Sequence, residues 1–167
     1  MRKLLTLLFN LFLLTLVAFG QRGKIDSLQG FRACTIPVVY AVNDVILKDQ
    51  FGKTLSVPET NPAFKGDVDE LKKYFAANPL TDPKAKDLGF RVHIGFLVNC
   101  NGQFGNLIIV SKGKGDLDIL AKQVLSIAEK MPQNWVPAMA DNKLVDCYQI
   151  LSFTVIDGAL DKVSYRK

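Results

Sequence analysis

The stretch from Arg91 to Ser111 most constrains what this chain can become. Two β-rich runs, Arg91–Asn99 and Phe104–Ser111, flank Asn101-Gly102. Asn-Gly tolerates two successive residues with φ > 0 and so favours a type I′ hairpin turn. With Cys100 opposite Gln103, Val98 faces Gly105, Phe96 faces Leu107, Ile94 faces Ile109 and Val92 faces Ser111. Side chains alternate across a strand, so Val92, Ile94, Phe96, Val98, Leu107 and Ile109 share one face. That face needs a covering layer, which the rest of the chain has to supply.

The natural lid is helical. From Leu117 to Met131 the apolar residues Leu117, Leu120, Ala121, Val124, Ala128 and Met131 recur at helical spacing. Gly113-Lys114-Gly115-Asp116 precedes them. No Lys-Ser/Thr ending follows, so it reads as a turn plus an Asp N-cap and not as a phosphate-binding loop. Earlier, Asp67 and Glu70 have capping-box spacing, with Val68, Leu71 and Phe75 on one stripe and Tyr74 beside it. Asn78-Pro79 stops that helix, and Asp82-Pro83 starts a short second turn that Gly89 closes. Ile36–Lys48 is β-rich, with Asn43-Asp44 as a turn, and residues 49–66 read as a linker. After Asp141-Asn142, Leu144–Ile156 is the last strand. Val145, Cys147, Leu151, Phe153 and Val155 share its parity, which Gln149 interrupts.

Residues 1–20 stand apart from this pattern. Arg2 and Lys3 precede an almost wholly apolar run, Leu4–Phe19, and Ala18-Phe19-Gly20 places small residues where a signal peptidase looks. The run is shorter than the roughly 20 residues of a spanning helix. A cleaved secretory signal and a periplasmic protein are expected; the alternative is an inner-membrane anchor. Loss of the signal leaves 19 Lys and Arg against 16 Asp and Glu, a charge of +3 in place of +5. The lysines are scattered, without the basic stripe and interleaved aromatics that nucleic acid requires.

At this point the chain resembles the C-terminal domain of the TonB family over about residues 57–156. Pro62-Ala63-Phe64-Lys65-Gly66 is similar to the Pro-x-Phe-Pro-Gly opening of Bacteroidetes-type members. A helix, a Pro-containing turn, the strand Arg91–Asn99 and its Asn-Gly turn follow in the family's order. Trp135-Val136-Pro137-Ala138 then matches a Trp-x-Pro-Ala connection before the last strand. The resemblance implies an α+β fold, a small antiparallel sheet (hairpin plus C-terminal strand) with helices on one face. With the segments read above, the chain divides into a signal peptide (1–20), an extension with a β-rich segment and linker (21–56), the domain that carries the resemblance (57–160) and a tail (161–167). The resemblance also implies the function: the last strand pairs by backbone with an extended segment of an outer-membrane transporter. The expected partner edge is Tyr148, Gln149, Ile150, Leu151, Ser152, Phe153 and Thr154. The chain lacks the long Pro-rich linker of a full transducer, so an exported interaction module is the first reading and an anchored energy transducer the alternative. A second copy of the chain is a further candidate partner.

The remaining chemistry is sparse. The single histidine, His93, lies on the hairpin face opposite the main apolar set, with no nucleophile nearby in sequence. Asp67, Asp69, Glu70, Asp116 and Asp118 sit at helix starts, where the helix dipole favours acids. No catalytic residue, cofactor site or metal site is expected; a concave polar pocket around His93 would favour a ligand binder or enzyme instead. Trp135 reads as a core plug. The last strand should run antiparallel to the first. Pairing Phe96 with Leu151, Ile94 with Phe153 and Val92 with Val155 keeps apolar partners together and sets Cys100 opposite Cys147. In an exported protein that register favours a Cys100–Cys147 disulfide and leaves Cys34 over.

Leu97, Ile108, Val110, Ile150 and Ile156 point to the other face. Val38, Val39, Tyr40 and Val42 are its expected cover.

Overall fold

The computed structural model describes residues 31–51, 54–66, 68–111 and 113–167. The expected signal segment and Asp67 of the expected capping box lie outside the described residues. Among the described residues the first elements are β1 (Tyr40–Ala41), α1 (Val45–Phe51), β2 (Ala63–Phe64) and α2 (Val68–Ala76). A 3-10 turn at Pro83–Ala85 leads into the hairpin, β3 (Gly89–Val98) and β4 (Phe104–Ile109). Next come α3 (Asp116–Ala128), β5 (Trp135–Val136), β6 (Ala138–Ala140) and β7 (Lys143–Val145). The long strands β8 (Cys147–Ile156) and β9 (Ala159–Tyr165) end the chain. The class is α+β, as expected.

The main sheet runs β4-β3-β8, with β8 antiparallel to β3. On its far side β8 pairs antiparallel with β9 and, at Cys147–Tyr148, parallel with β1. One sheet face carries Val92, Ile94, Phe96, Val98, Leu151, Phe153 and Val155. It is covered by Leu71 and Phe75 of α2 and by Leu120, Ala121, Val124 and Ala128 of α3. Both helical stripes were legible as periodicity; Leu117, at the edge of its stripe, stays 39% exposed. Trp135 plugs this core, in edge contact with Phe64, Phe96 and Tyr165.

The second face is covered at one end by the N-terminal segment. Val42 and Leu47 form a cluster with Ala138, Cys147 and Ile150, and Tyr40, Val110 and Tyr148 pack around it. The expected cover holds for Tyr40 and Val42, whereas Val39 is exposed. The β-rich run expected through Lys48 turns helical at Val45. The Asp44 carboxylate accepts from the backbone N–H groups of Ile46 and Leu47, so the Asx residue read as a turn is a helix cap. Gly95 lets α1 come close: a Cβ there would lie 3.2 Å from Leu47.

The hairpin turn differs from the expected two-residue type. Asn99 is its organiser. Its C=O accepts from Gly102 N–H at 2.9 Å, and its Oδ1 accepts from the N–H groups of Asn101 and Gln103. Gly102 has φ +76, while Asn101 is not among the residues with positive φ. The turn therefore spans Asn99–Gly102, and the ladder restarts with Val98 against Phe104 and Leu97 against Gly105. The expected Val98–Gly105 and Phe96–Leu107 pairs are replaced. A bulge at Asn106 (φ 52) absorbs the slip, and Ile94 still meets Ile109.

The last strand slips by two residues from the expected alignment. Phe96 faces Gln149, Ile94 faces Leu151, Val92 faces Phe153, Phe90 faces Val155 and Val98 faces Cys147. An even slip keeps every side chain on its face, which is why apolar parity cannot detect it. It does decide the disulfide. Cys100 lies in the turn, beyond the strand, and bonds to Cys34 with Cα atoms 6.1 Å apart; Cys147 is a buried free thiol. The expected Cys100–Cys147 bond is thereby corrected. Asp146 organises the actual one, accepting from Thr35 N–H at 2.7 Å and Cys100 N–H at 2.8 Å. The expected tail, 161–167, is also corrected, since β9 runs to Tyr165. Asp157 and Gly158, both at positive φ, make the two-residue hairpin turn that leads into it.

Candidate functional site

The seven residues expected to offer an open edge, Tyr148–Thr154, lie inside the sheet. On one side they pair with Leu97–Arg91 of β3. On the other, Val42 N–H donates to Tyr148 C=O, and Leu151–Thr154 pair with Tyr165–Lys162 of β9. Gln149 fills the gap between β1 and β9 with its side chain. Its Nε2 donates to Pro62 C=O at 2.9 Å and Arg166 C=O at 2.7 Å, and its Oε1 accepts from Ile150 and Arg166 N–H. This accounts for the glutamine that interrupts the apolar parity. The outer side of β8 is occupied by the chain itself, and the expectation of an open last strand is overturned.

The strand edges lie elsewhere. Among the described residues no strand pairs with the outer side of β4. Its first residue is capped: Phe104 N–H donates to Gln133 Oε1 at 2.8 Å, and Gln133 Nε2 donates back to Phe104 C=O. Beyond the Asn106 bulge, Leu107, Ile108, Ile109 and Val110 are all partly exposed. Val110 N–H donates inward to His93 C=O at 2.9 Å. Backbone direction alternates in an antiparallel strand, so the N–H and C=O of Ile109 point outward. The β9 edge is blunter. It carries a bulge at Asp161, where Thr154 meets Lys162 but Val155 meets Leu160, and Asp161 and Lys162 are exposed. Bulges and charges both discourage strand addition.

Comparison with protein-family models, with curated proteins and with solved structures found no match in any of the three. The site is therefore read from its own geometry.

His93 lies in β3 opposite Ser152, with Nδ1 2.9 Å from the Ser152 hydroxyl oxygen. Partial burial holds its pKa below the usual imidazole value, against an upward pull from Asp44; Arg91 and Arg166 add to the depression. Asp44 is itself committed, accepting from α1 and from the Arg166 guanidinium at 2.6 and 2.7 Å. Among the described residues no carboxylate hydrogen-bonds the imidazole, so the His93–Ser152 pair lacks the third, orienting group of an activated nucleophile. Cys34, Cys100 and Asp146 bring their ligand atoms within 4.8 Å of one another. The two sulfurs are bonded to each other, however, and the Asp146 oxygens serve backbone donors. The free thiol of Cys147 is pushed up to about 12 by burial, which makes it a poor nucleophile or ligand. Among the described residues no helix is long and apolar enough to cross a membrane.

Proposed function

We propose that this chain is an exported interaction module with a TonB C-terminal-like fold. In this reading it binds an extended segment of an envelope partner by strand addition along the outer side of β4. The observation that carries it is the apolar edge Leu107–Val110, with its outward Ile109 backbone and no strand beside it among the described residues. Strand addition gains affinity from backbone hydrogen bonds and specificity from alternate side chains. The order of the sequence motifs supports the family reading. So does the pairing of the two most distinctive ones, Ala63 with Val136 and Phe64 with Trp135. The basic start, apolar run and small-residue ending of residues 1–20 support export. The partner class this favours is a TonB-dependent outer-membrane transporter.

The test uses peptides copied from the N-terminal segments of the host's outer-membrane transporters, titrated calorimetrically. Ile109→Pro removes the outward donor without touching the β3–β4 ladder. At least one peptide is expected to bind the wild type, with tenfold or greater loss in Ile109→Pro at an unchanged urea midpoint. Full binding by a folded Ile109→Pro variant excludes this edge; no binding by any peptide excludes this partner class. An anchored energy transducer is the second reading, in which Leu4–Phe19 stays uncleaved as the anchor. Intact mass and fractionation from the native host decide between them, since only a transducer keeps residues 1–20 in the membrane.

A further inference from the structure

The second sheet face is divided. At one end Gly95 and Ile150 lie under α1. At the other end the registers of β3, β8 and β9 set two cross-strand rows side by side. One row is Arg91, Thr154 and Lys162; the next is His93, Ser152 and Ser164. Residues directly opposite one another in antiparallel strands share a face. All six are polar, and a flat row of this kind would be an ordinary solvated surface. This one is concave. The six residues line a groove of about 680 Å³, with Lys72 and Arg166 also on its walls and Asp161 the one acidic residue lining it.

Two features give the groove a chemical preference. Arg91 and Lys162 stand on either side of the Thr154 hydroxyl, on strands separated by two ladder spacings, roughly 10 Å. Neither has an ion-pair partner among the described residues, and both side chains are long enough to converge on one group between them. The hydroxyls of Ser152, Thr154 and Ser164 then line the floor. The Ser152 oxygen also lies 2.9 Å from His93 Nδ1, and its proton is free to donate into the groove when Nδ1 carries the hydrogen of that pair. Arg166 is fixed as a wall by its bonds to Asp44. Arginine, lysine and several hydroxyls around one point are the donor set of an oxyanion site.

We propose that this groove binds a phosphate group, clamped by Arg91 and Lys162 over the hydroxyls of Ser152 and Thr154. The site is independent of the β4 edge. A soluble phosphate and a lipid headgroup present the same chemistry, so the full chain is titrated both with inorganic phosphate and with phosphatidylcholine vesicles containing phosphatidylglycerol. The readout is the His93 ring, followed by NMR across pH at constant ionic strength. A bound anion stabilises the imidazolium, so the His93 titration midpoint should rise saturably with the cognate probe. Arg91→Met and Lys162→Met should each weaken binding severalfold, and the double variant at least tenfold, while Lys130→Met on the α3 side leaves it unchanged. A response to phosphate alone assigns a soluble ligand; a response to vesicles alone assigns a headgroup. No saturable movement with either probe, or equal binding by the double variant, overturns the proposal.

Discussion

Replacing Gln149 by leucine tests the architecture of the sheet at its least expected point. The side chain is fully buried and uses both donor hydrogens and both acceptor positions of its amide. Leucine has a similar volume but leaves four backbone groups without partners. The two on Arg166 lie at an exposed residue and can turn to water. Ile150 N–H and Pro62 C=O belong to buried residues, and each costs about 1–3 kcal/mol when orphaned. Leucine recovers roughly 2 kcal/mol through its apolar transfer. Against a cost of about 4 kcal/mol for the two orphaned groups at the middle of that range, the net loss should be about 2 kcal/mol, which at an m-value of about 2 kcal/mol/M lowers the urea midpoint by roughly 1 M. Gln149→Glu gives a signed check. A carboxylate cannot donate to Pro62 or Arg166, so the folded state favours the protonated form and the folded pKa rises above the unfolded value of about 4.3. The stability of that variant relative to the wild type is then greatest below about pH 4.3 and is lost as pH rises through the folded value. A Gln149→Leu midpoint within 0.2 M of the wild type, about 0.4 kcal/mol at that m-value, would refute the reasoning.

Other expectations follow from the same contacts. In unfolded, unreduced protein one thiol per chain, Cys147, should be alkylated, and in native protein none; peptide mapping that links Cys147 to either other cysteine would contradict the structure. Replacing Cys34 and Cys100 by serine opens a loop of sequence separation 66 and should cost about 4 kcal/mol on the chain-entropy account, read by urea melts with and without reductant. His93 has a folded pKa below its unfolded one, so protonation favours the unfolded chain. Its contribution to stability is present above about pH 6.5 and is lost as pH falls through the folded value. His93→Gln should flatten that segment of a stability–pH curve, and an unchanged slope would remove the assignment.

What was legible in the sequence is what periodicity encodes. The hairpin, the division of its residues between two faces and the need for an N-terminal cover follow from local alternation of apolar and polar residues, and the α3 stripe from helical spacing. Register does not, because an even slip leaves that alternation intact. The two-residue slip of β8 therefore went unseen, and the Cys100–Cys147 pairing derived from it failed with it. The Asn99 side chain, which rebuilds the turn, competes with Asn101-Gly102 through hydrogen bonds that depend on local geometry. Gln149 was visible as an anomaly, but its partners Pro62 and Arg166 lie 87 and 17 residues away. The β9 strand could have been found. Asp157-Gly158 is a two-residue hairpin signal followed by a short strand with Leu160 and Val163 buried. That strand moves the candidate site from β8 to β4.

Amide hydrogen exchange along β4 and β8, with and without a bound partner segment, tests the central claim most directly. In the free protein the amides of Leu151–Val155 should be strongly protected, because β8 is paired on both sides, while the outward amide of Ile109 exchanges quickly. Adding the partner should protect Ile109 and leave β8 unchanged. Fast exchange across Leu151–Val155 in the free protein, or new protection there with none at Ile109, would contradict the account.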